Sequence, residues 1–413
     1  MTYIEFYDPV SVENIATCLS YMPDRVVLIG DSKQVNPRIV HYKRVFADRG
    51  HSEVEFIHKA ISKSNLTTAL RELNKLVDTY DDCVFDITGG DEMLLLALGM
   101  VCATRTDKKI QIHKINLRSG TMYDCDRDGE TVFADIPQLS VEENIRIYGG
   151  DVVYGGIDSI DTYRWDLTED FCRDVDAMWH VCRGVGQKWN IWITIIDAIC
   201  AQGDSDSLSV TAAVQDVWQS LPSSIRYDLP PGFIHALTEA GVLTHFEDDG
   251  TTVSVGFKNR QVKRCLTTEG QVLELKMYLI AKQAADTDGP VYNDALCGVK
   301  IDWDADIHED NFLDVENEID ILLMHGVIPV FVSCKNGYVD PDELYKLHTV
   351  AHRFGGPYAK AVLMAPAIDN LPNGQQTRLR AQEMDIRVLD GAVLCSADDE
   401  ELTRQMKCLW FNS

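Results

Sequence analysis

Over roughly residues 1–120 the chain alternates short apolar runs with amphipathic helical patterns, and this alternation restricts the fold more than any other feature. TYIEFY, RVVLIGD, SEVEFIH, CVFDITGG and KIQIHKI read as five strands. Helical patterns separate them: Ser11 to Tyr21, Pro37 to Arg49, LTTALRELNKLVDTY and MLLLALGMVCATR. Strands this continuously apolar need cover on both faces, which predicts an α/β domain with a parallel, doubly wound sheet. The segment TMYDCDRDGETVFADI reads as a hairpin turning at Asp128-Gly129, a tail on that sheet.

The pattern changes further on. From about residue 155 to 265 it is mainly helical, with Trp165, Trp179, Trp189, Trp192 and Trp218 as expected packing residues. Segment 208–241 predicts two helices broken by PSSIRYDLPP, and GVLTHFEDDGTTVSVGF predicts two strands around Asp249-Gly250, a winged-helix-like order. The second helix, FIHALTEAGVL, has no Arg or Lys to read a groove, so a structural role is expected. From about residue 267 an α-β-β-β-α-β order predicts a small mixed sheet with flanking helices. The expected domains are 1–150, 151–266 and 267–413, consistent with a chain too long for one core.

Charge narrows the function. A net charge of −27 repels a polyanion, which argues against a sequence-independent nucleic-acid coat protein. An enzyme with a local basic channel and bound divalent cations remains compatible, since the cations cancel carboxylate charge. The 12 cysteines are scattered without a CxxC pair, so reduced thiols and a cytoplasmic location are expected rather than zinc or disulfides. No secretory leader is visible, and the most apolar stretch, Trp189 to Cys200, is interrupted by Asp197, so no membrane association is expected.

Ligands of doubly wound sheets sit at the carboxyl ends of the strands. There VFDITGGDE places Thr88, Gly89 and Gly90 before a helix, where backbone amides and the helix dipole favour a phosphate. Ser11, expected to cap its helix, and Gly30, Asp31 and Ser32 after the second strand border the same crevice. GxGxxG after the first strand and GxxxxGK[ST] are both lacking, which argues against dinucleotide redox chemistry and NTP hydrolysis. The D-[IL]-T-G-G sequence at Asp86 to Gly90 resembles the CARF (CRISPR-associated Rossmann fold) domains. That resemblance, over roughly residues 1–150, implies a homodimer binding a cyclic oligoadenylate across its two-fold axis, with cyclic tetra-adenylate as the expected ring. The chain departs from the family at Asp91, where a Lys or Thr is common.

The other chemical signal is NEIDIL followed by VFVSCKNG. Asp320 and Lys335 fall on adjacent predicted strands, so a carboxylate and an ammonium can converge, and Glu274 on the preceding helix can add a second carboxylate. Such a set suits phosphodiester hydrolysis assisted by Mg²⁺ or Mn²⁺. LE on a helix, then NEID, then SCKNG resembles the restriction-endonuclease-like PD-(D/E)xK fold, and more fully the CARF-linked nucleases of type III CRISPR defence. The resemblance implies a ring-activated endonuclease cleaving DNA, RNA or both. Ser333 stands where that family has a metal-binding acid, and Glu318 and Glu343 are the candidates to replace it. His348 and His352, one helical turn apart but outside an HExxH motif, are expected to be surface or packing residues. Two alternatives stay open: a ligand-controlled transcription regulator with a degenerate nuclease fold, and an enzyme that degrades the ring in the first domain.

Overall fold

The computed structural model describes residues 1–125, 131–132, 135–154, 162–305, 316–395 and 398–411. The first sheet contains β1 (Thr2–Phe6), β2 (Arg25–Ile29), β3 (Glu55–Lys59), β4 (Asp82–Asp86), β5 (Lys109–Asn116), β6 (Thr121–Asp124) and β7 (Thr131–Val132). Its order is β3-β2-β1-β4-β5-β6-β7. β1 to β5 are parallel, and β6 and β7 form the antiparallel tail. The turn expected at Asp128-Gly129 lies outside the described residues.

Four helices cover this sheet: α1 (Ala16–Tyr21), α2 (Ser32–Asp48), α3 (Leu66–Thr79) and α4 (Glu92–Thr104). α3 and α4 bury Leu73, Leu76, Leu94 and Leu98 against one face, and α1 and α2 bury Leu19, Val35 and Phe46 against the other. Every residue of β1 is buried, as a run apolar on both faces requires. Two expected boundaries move. Ser11–Asn14 forms a 3₁₀ turn before the short α1, so Ser11 caps no helix. α2 starts at Ser32 because Asp31 accepts from the Lys33 amide, and Pro37 lies inside the helix rather than at its start.

α5 (Val141–Ile147) follows, closed by a capping box between Ser140 and Glu143, and then the short β8 (Asp151–Val152). The middle segment comprises α6 (Glu169–Val185), α7 (Lys188–Cys200), β9 (Ser209–Ala213), α8 (Val214–Ser220), α9 (Pro231–Glu239), β10 (Leu243–Asp248), β11 (Thr252–Phe257) and α10 (Arg260–Cys265). The order β10-β11-β9 is that of a winged helix. Ser209–Ala213 is a strand rather than part of a helix: SVTAA alternates exposed and buried residues and zips onto β11, a period-two pattern that outcompetes helix propensity.

The last section contains α11 (Gln271–Gln283), a ribbon of β12 (Ala285–Asp286) and β13 (Gly289–Pro290), then β14 (Asp294–Asp302), β15 (Glu316–His325) and β16 (Ile328–Cys334). α12 (Pro341–Gly355), β17 (Lys360–Ala365), α13 (Gly374–Glu383), β18 (Ile386–Asp390), α14 (Gly391–Leu394) and α15 (Asp399–Lys407) complete the chain. The sheet order is β18-β17-β16-β15-β14-β8, with β16, β17 and β18 parallel and β14 to β16 antiparallel. β8 pairs with β14 at the edge. α11, α15 and the middle segment share a core on one face of this sheet. On the other face α5 and α12 merge into the core that reaches the first sheet.

Direct bonds cross that junction. Asn144 Nδ2 donates to the Phe354 carbonyl at 2.7 Å, and Arg353 Nη1 to the Tyr148 carbonyl at 2.7 Å. The Tyr358 hydroxyl donates to Glu13 Oε1 at 2.5 Å, joining the loop after β1 to the turn that precedes β17. Val10 lies against Gly356, where an added Cβ would be 3.5 Å from Val10 Cγ1. Among the described residues no helix is long and apolar enough to cross a membrane, and all 12 cysteines are free thiols.

Candidate functional site

The strand order reverses between β1 and β4, which makes the loops after these two strands the walls of a switch-point crevice. Thr88 is fixed from two sides: its amide donates to Asp86 Oδ1 at 2.6 Å, and its Oγ1 accepts from the Ile115 amide at 2.8 Å. Gly89 packs against the β1 loop so closely that a Cβ there would stand 2.7 Å from Asp8 Cβ. Gly90 has φ +112°, and a Cβ on it would meet Phe6 Cβ at 2.6 Å, so both positions require glycine. Asp91, the departure from the family pattern, caps α4 by accepting from the Met93 amide at 3.0 Å. Its carboxylate is engaged with the helix start.

The other expected crevice residues divide. Gly30 is buried, with room for no Cβ between Tyr7 and Val35, while Asp31 caps α2 and Ser32 is exposed as its first residue. Among the described residues the buried Ser11 hydroxyl has no hydrogen-bond partner. Sequence reading passed over Asp8 and Asn14, which build the β1 loop: the Asp8 amide donates to Asn14 Oδ1 at 2.6 Å, and Asp8 Oδ1 accepts from the Val10 amide at 2.8 Å. The D-P-x-S-x-x-N spacing, with its Asx turn, was the available signal.

Beneath the crevice, Glu5 and Asp86 stand side by side on β1 and β4, each almost fully buried. Glu5 Oε1 accepts from Thr17 Oγ1 at 3.0 Å and from Cys18 Sγ at 3.1 Å. Burial, and then the Asp86 charge, push the Glu5 carboxyl well above the ordinary carboxylate range. Burial likewise raises Asp86, against the hydrogen bonds it accepts. The folded protein therefore holds more protons here than the unfolded chain, and stability falls as pH rises from the unfolded carboxylate range, about 4.3 for Glu, through the raised folded values. Glu5→Gln keeps the acceptor and removes one acid. Its melting temperature is expected to fall less than the parent's between pH 5 and 8 and to lie about 2–4 °C higher at pH 8. Parallel melting curves of the two proteins in calorimetry check this.

The second centre forms where α11, β15 and the end of β16 meet. Asp320 Oδ2 accepts from the Cys334 amide at 2.6 Å and from Ser333 Oγ at 3.2 Å, so Ser333 orients Asp320 rather than adding a charge. Glu274 Oε2 accepts from Gln271 Nε2 at 2.9 Å. Burial and then the charges of Asp320 and Glu318 raise Glu274 well above the usual carboxylate range. Burial also raises Asp320, opposed by the Lys335 ammonium and the Cys334 amide. Burial works against the Lys335 ammonium, yet Asp320, Glu343 and Glu274 together hold its pKa above the ordinary lysine value. The charges of Glu274, Asp320 and Lys335 thus act on one another.

The substitute acids are differently placed. Glu343 pairs with Lys335 Nζ at 3.3 Å, and Glu318 with Lys300 Nζ. Among the described residues no three His, Cys, Asp or Glu side chains form a ready metal cluster. The donor set still suits a hard divalent cation, because two buried carboxylates both feel the charge of one ammonium, that of Lys335. His348 and His352 have ring centroids 6.3 Å apart, and His348 Nδ1 lies 3.2 Å from the Met384 carbonyl.

No protein-family model and no curated protein matches the chain. Solved structures do. VC1899 from Vibrio cholerae matches 99% of this chain and 97% of its own at 16% identity, with a TM-score of 0.73. Can2 from Sulfobacillus thermosulfidooxidans, solved in complex with cyclic tetra-adenylate, matches 100% of this chain and 99% of its own at 18% identity, with a TM-score of 0.66. The chain carries the fold of these proteins along its whole length: a Rossmann-like, mainly parallel sheet, a winged-helix-like middle segment and a mixed α/β sheet.

Proposed function

We propose that this chain is a homodimeric effector in which a cyclic oligoadenylate, the four-membered ring, binds the switch-point crevice and activates metal-dependent cleavage of DNA or RNA. The observation that carries the reading is the placing of Asp320 against the end of β16, where the Cys334 amide and Ser333 Oγ donate to it at 2.6 and 3.2 Å, just before Lys335, whose ammonium pairs with Glu343 at 3.3 Å. Can2, which shares the fold, was solved with cyclic tetra-adenylate bound, and this supports the choice of ring. Ring phosphates would approach the backbone of the Gly89–Gly90 turn that precedes α4.

At the cutting centre each residue has a task. Asp320 and Glu274 would hold Mg²⁺ or Mn²⁺, with Glu318 as an outer carboxylate. When bound, the ion supplies positive charge to the phosphate and makes water a better nucleophile. Lys335, kept protonated by its carboxylate neighbours, stands beside the scissile phosphate and stabilises its developing charge. Ser333 and the Cys334 amide hold Asp320 in place. The test is cleavage of labelled single- and double-stranded DNA and RNA with Mn²⁺, with and without cyclic tetra-adenylate. Ring-dependent cutting is expected, and equal rates in both arms defeat the allosteric reading. The transcription-regulator alternative is disfavoured: α9 exposes His235 and Glu239, paired at 3.2 Å, and offers no cation to a groove.

Dimer formation has its own support in α4, the helix that begins just after the glycine turn. It exposes Leu96 and Met100, flanked by Gly99, on a face that meets open space. A second copy on this face would bring two Thr88–Gly90 turns to one axis, as a symmetric ring requires. Leu96→Glu is expected to convert dimer to monomer in sedimentation analysis and to weaken ring binding at least tenfold.

A further inference from the structure

A second cavity adjoins the cutting centre. It has a volume of about 270 Å³ and is bordered by Trp179, Arg183, Gln187, Asn336, Asn370 and Cys395, among others. Its floor consists of the loops after β16, β17 and β18, the carboxyl ends of three consecutive parallel strands. The turn between α6 and α7 closes it from above. Asn336, which follows Lys335 directly, forms one wall and is itself 6% exposed. Gly391 keeps another wall narrow, since a Cβ there would strike the Pro366 carbonyl at 2.3 Å.

The geometry points to a subsite for one unpaired nucleobase of the strand being cut. This rests on the nuclease reading. The volume lies below the range of about 300–1,000 Å³ typical of drug-sized ligands, which suits one ring system and excludes a duplex. Trp179 supplies an aromatic ring, the Asn370 and Gln187 amides supply donors and acceptors for a base edge, and Asn336, whose Nδ2 donates to Cys182 Sγ at 3.4 Å, adds its Oδ1 as an acceptor. At the rim Arg183 makes no ion pair among the described residues, its one side-chain hydrogen bond being to His180 Nδ1 at 3.2 Å. In a chain of net charge −27 an uncompensated guanidinium beside a lysine centre suits a phosphate. Tyr338, three residues beyond Lys335 and 64% exposed, adds a platform on which a neighbouring base can stack. The protein would therefore prefer single strands, because a paired base must first leave its stack.

The test uses the full chain with cyclic tetra-adenylate and Ca²⁺ present, and fluorescein-labelled 12-mer DNA and RNA single strands read by anisotropy. Each base in turn is replaced by an abasic spacer. The expected result is one register at which base loss weakens binding about tenfold. Asn370→Trp, which plugs the rim from an exposed position, should weaken binding of the intact strand about tenfold and abolish sensitivity to the abasic spacer. Affinity indifferent to every spacer, or Asn370→Trp binding as the parent does, overturns the subsite. Cleavage is measured separately with Mn²⁺. A protein that cuts but ignores the spacers loses the subsite and keeps the nuclease reading; one that shows the spacer pattern without cutting does the reverse.

Discussion

Lys335→Ala is expected to lower ring-activated cleavage by at least about 10²–10³-fold, the usual loss for a preorganised charge-stabilising group. Its ammonium favours the charged forms of both Asp320 and Glu274, so its removal leaves two buried carboxylates near the phosphate without that positive charge. Asp320→Asn should cost as much for a different reason. The amide oxygen can still accept from the Cys334 amide, which preserves the local fold, but the negative charge that a cation needs is gone. Neither change touches the first sheet. Calorimetric titration with cyclic tetra-adenylate should therefore give parental affinity for both variants, while gel assays show almost no product. Lys335→Ala cutting at the parental rate would place the chemistry elsewhere.

Gly89→Val is expected to weaken ring binding by at least about 100-fold while circular dichroism and melting remain near parental. A Cβ at this position would lie 2.7 Å from Asp8 Cβ, a distance real side chains do not accept, so one crevice wall must move. The sheet beneath does not depend on that contact, because Thr88 is anchored separately to Asp86 and Ile115. Basal, ring-independent cutting should be unchanged. Parental ring affinity measured by calorimetry would remove the Thr88–Gly90 turn from the binding site.

Much of this was legible because the signals were local. Alternating buried runs announced the first sheet, and strand spacing brought Asp320 to the end of β16 where Lys335 begins the next loop. The misses had physical causes. Ser209–Ala213 is a strand only because β11 pairs with it, and a partner 39 to 47 residues away leaves little trace in a five-residue run. The task of Ser333 depends on which oxygen of Asp320 faces it, and that is fixed by the register of β15 on β16. The cap roles of Asp91 and Asp31 were equally hidden: each accepts from an amide two residues on, a task the bare sequence does not separate from ligand contact. Glu5 was hidden because a lone acid in an apolar strand resembles a surface residue until its neighbours are known.

The Tyr358–Glu13 bond and the contact of Val10 with Gly356 make one wall of the crevice part of the body that carries the cutting centre. On the proposed function, reciprocity would run both ways: whatever the ring contributed to substrate affinity, substrate would return to ring affinity by the same factor. A protein engaged on nucleic acid would release its messenger more slowly than an idle one. The length of the response would then follow the supply of targets as well as the supply of signal, so that cutting wanes first where nothing is left to cut.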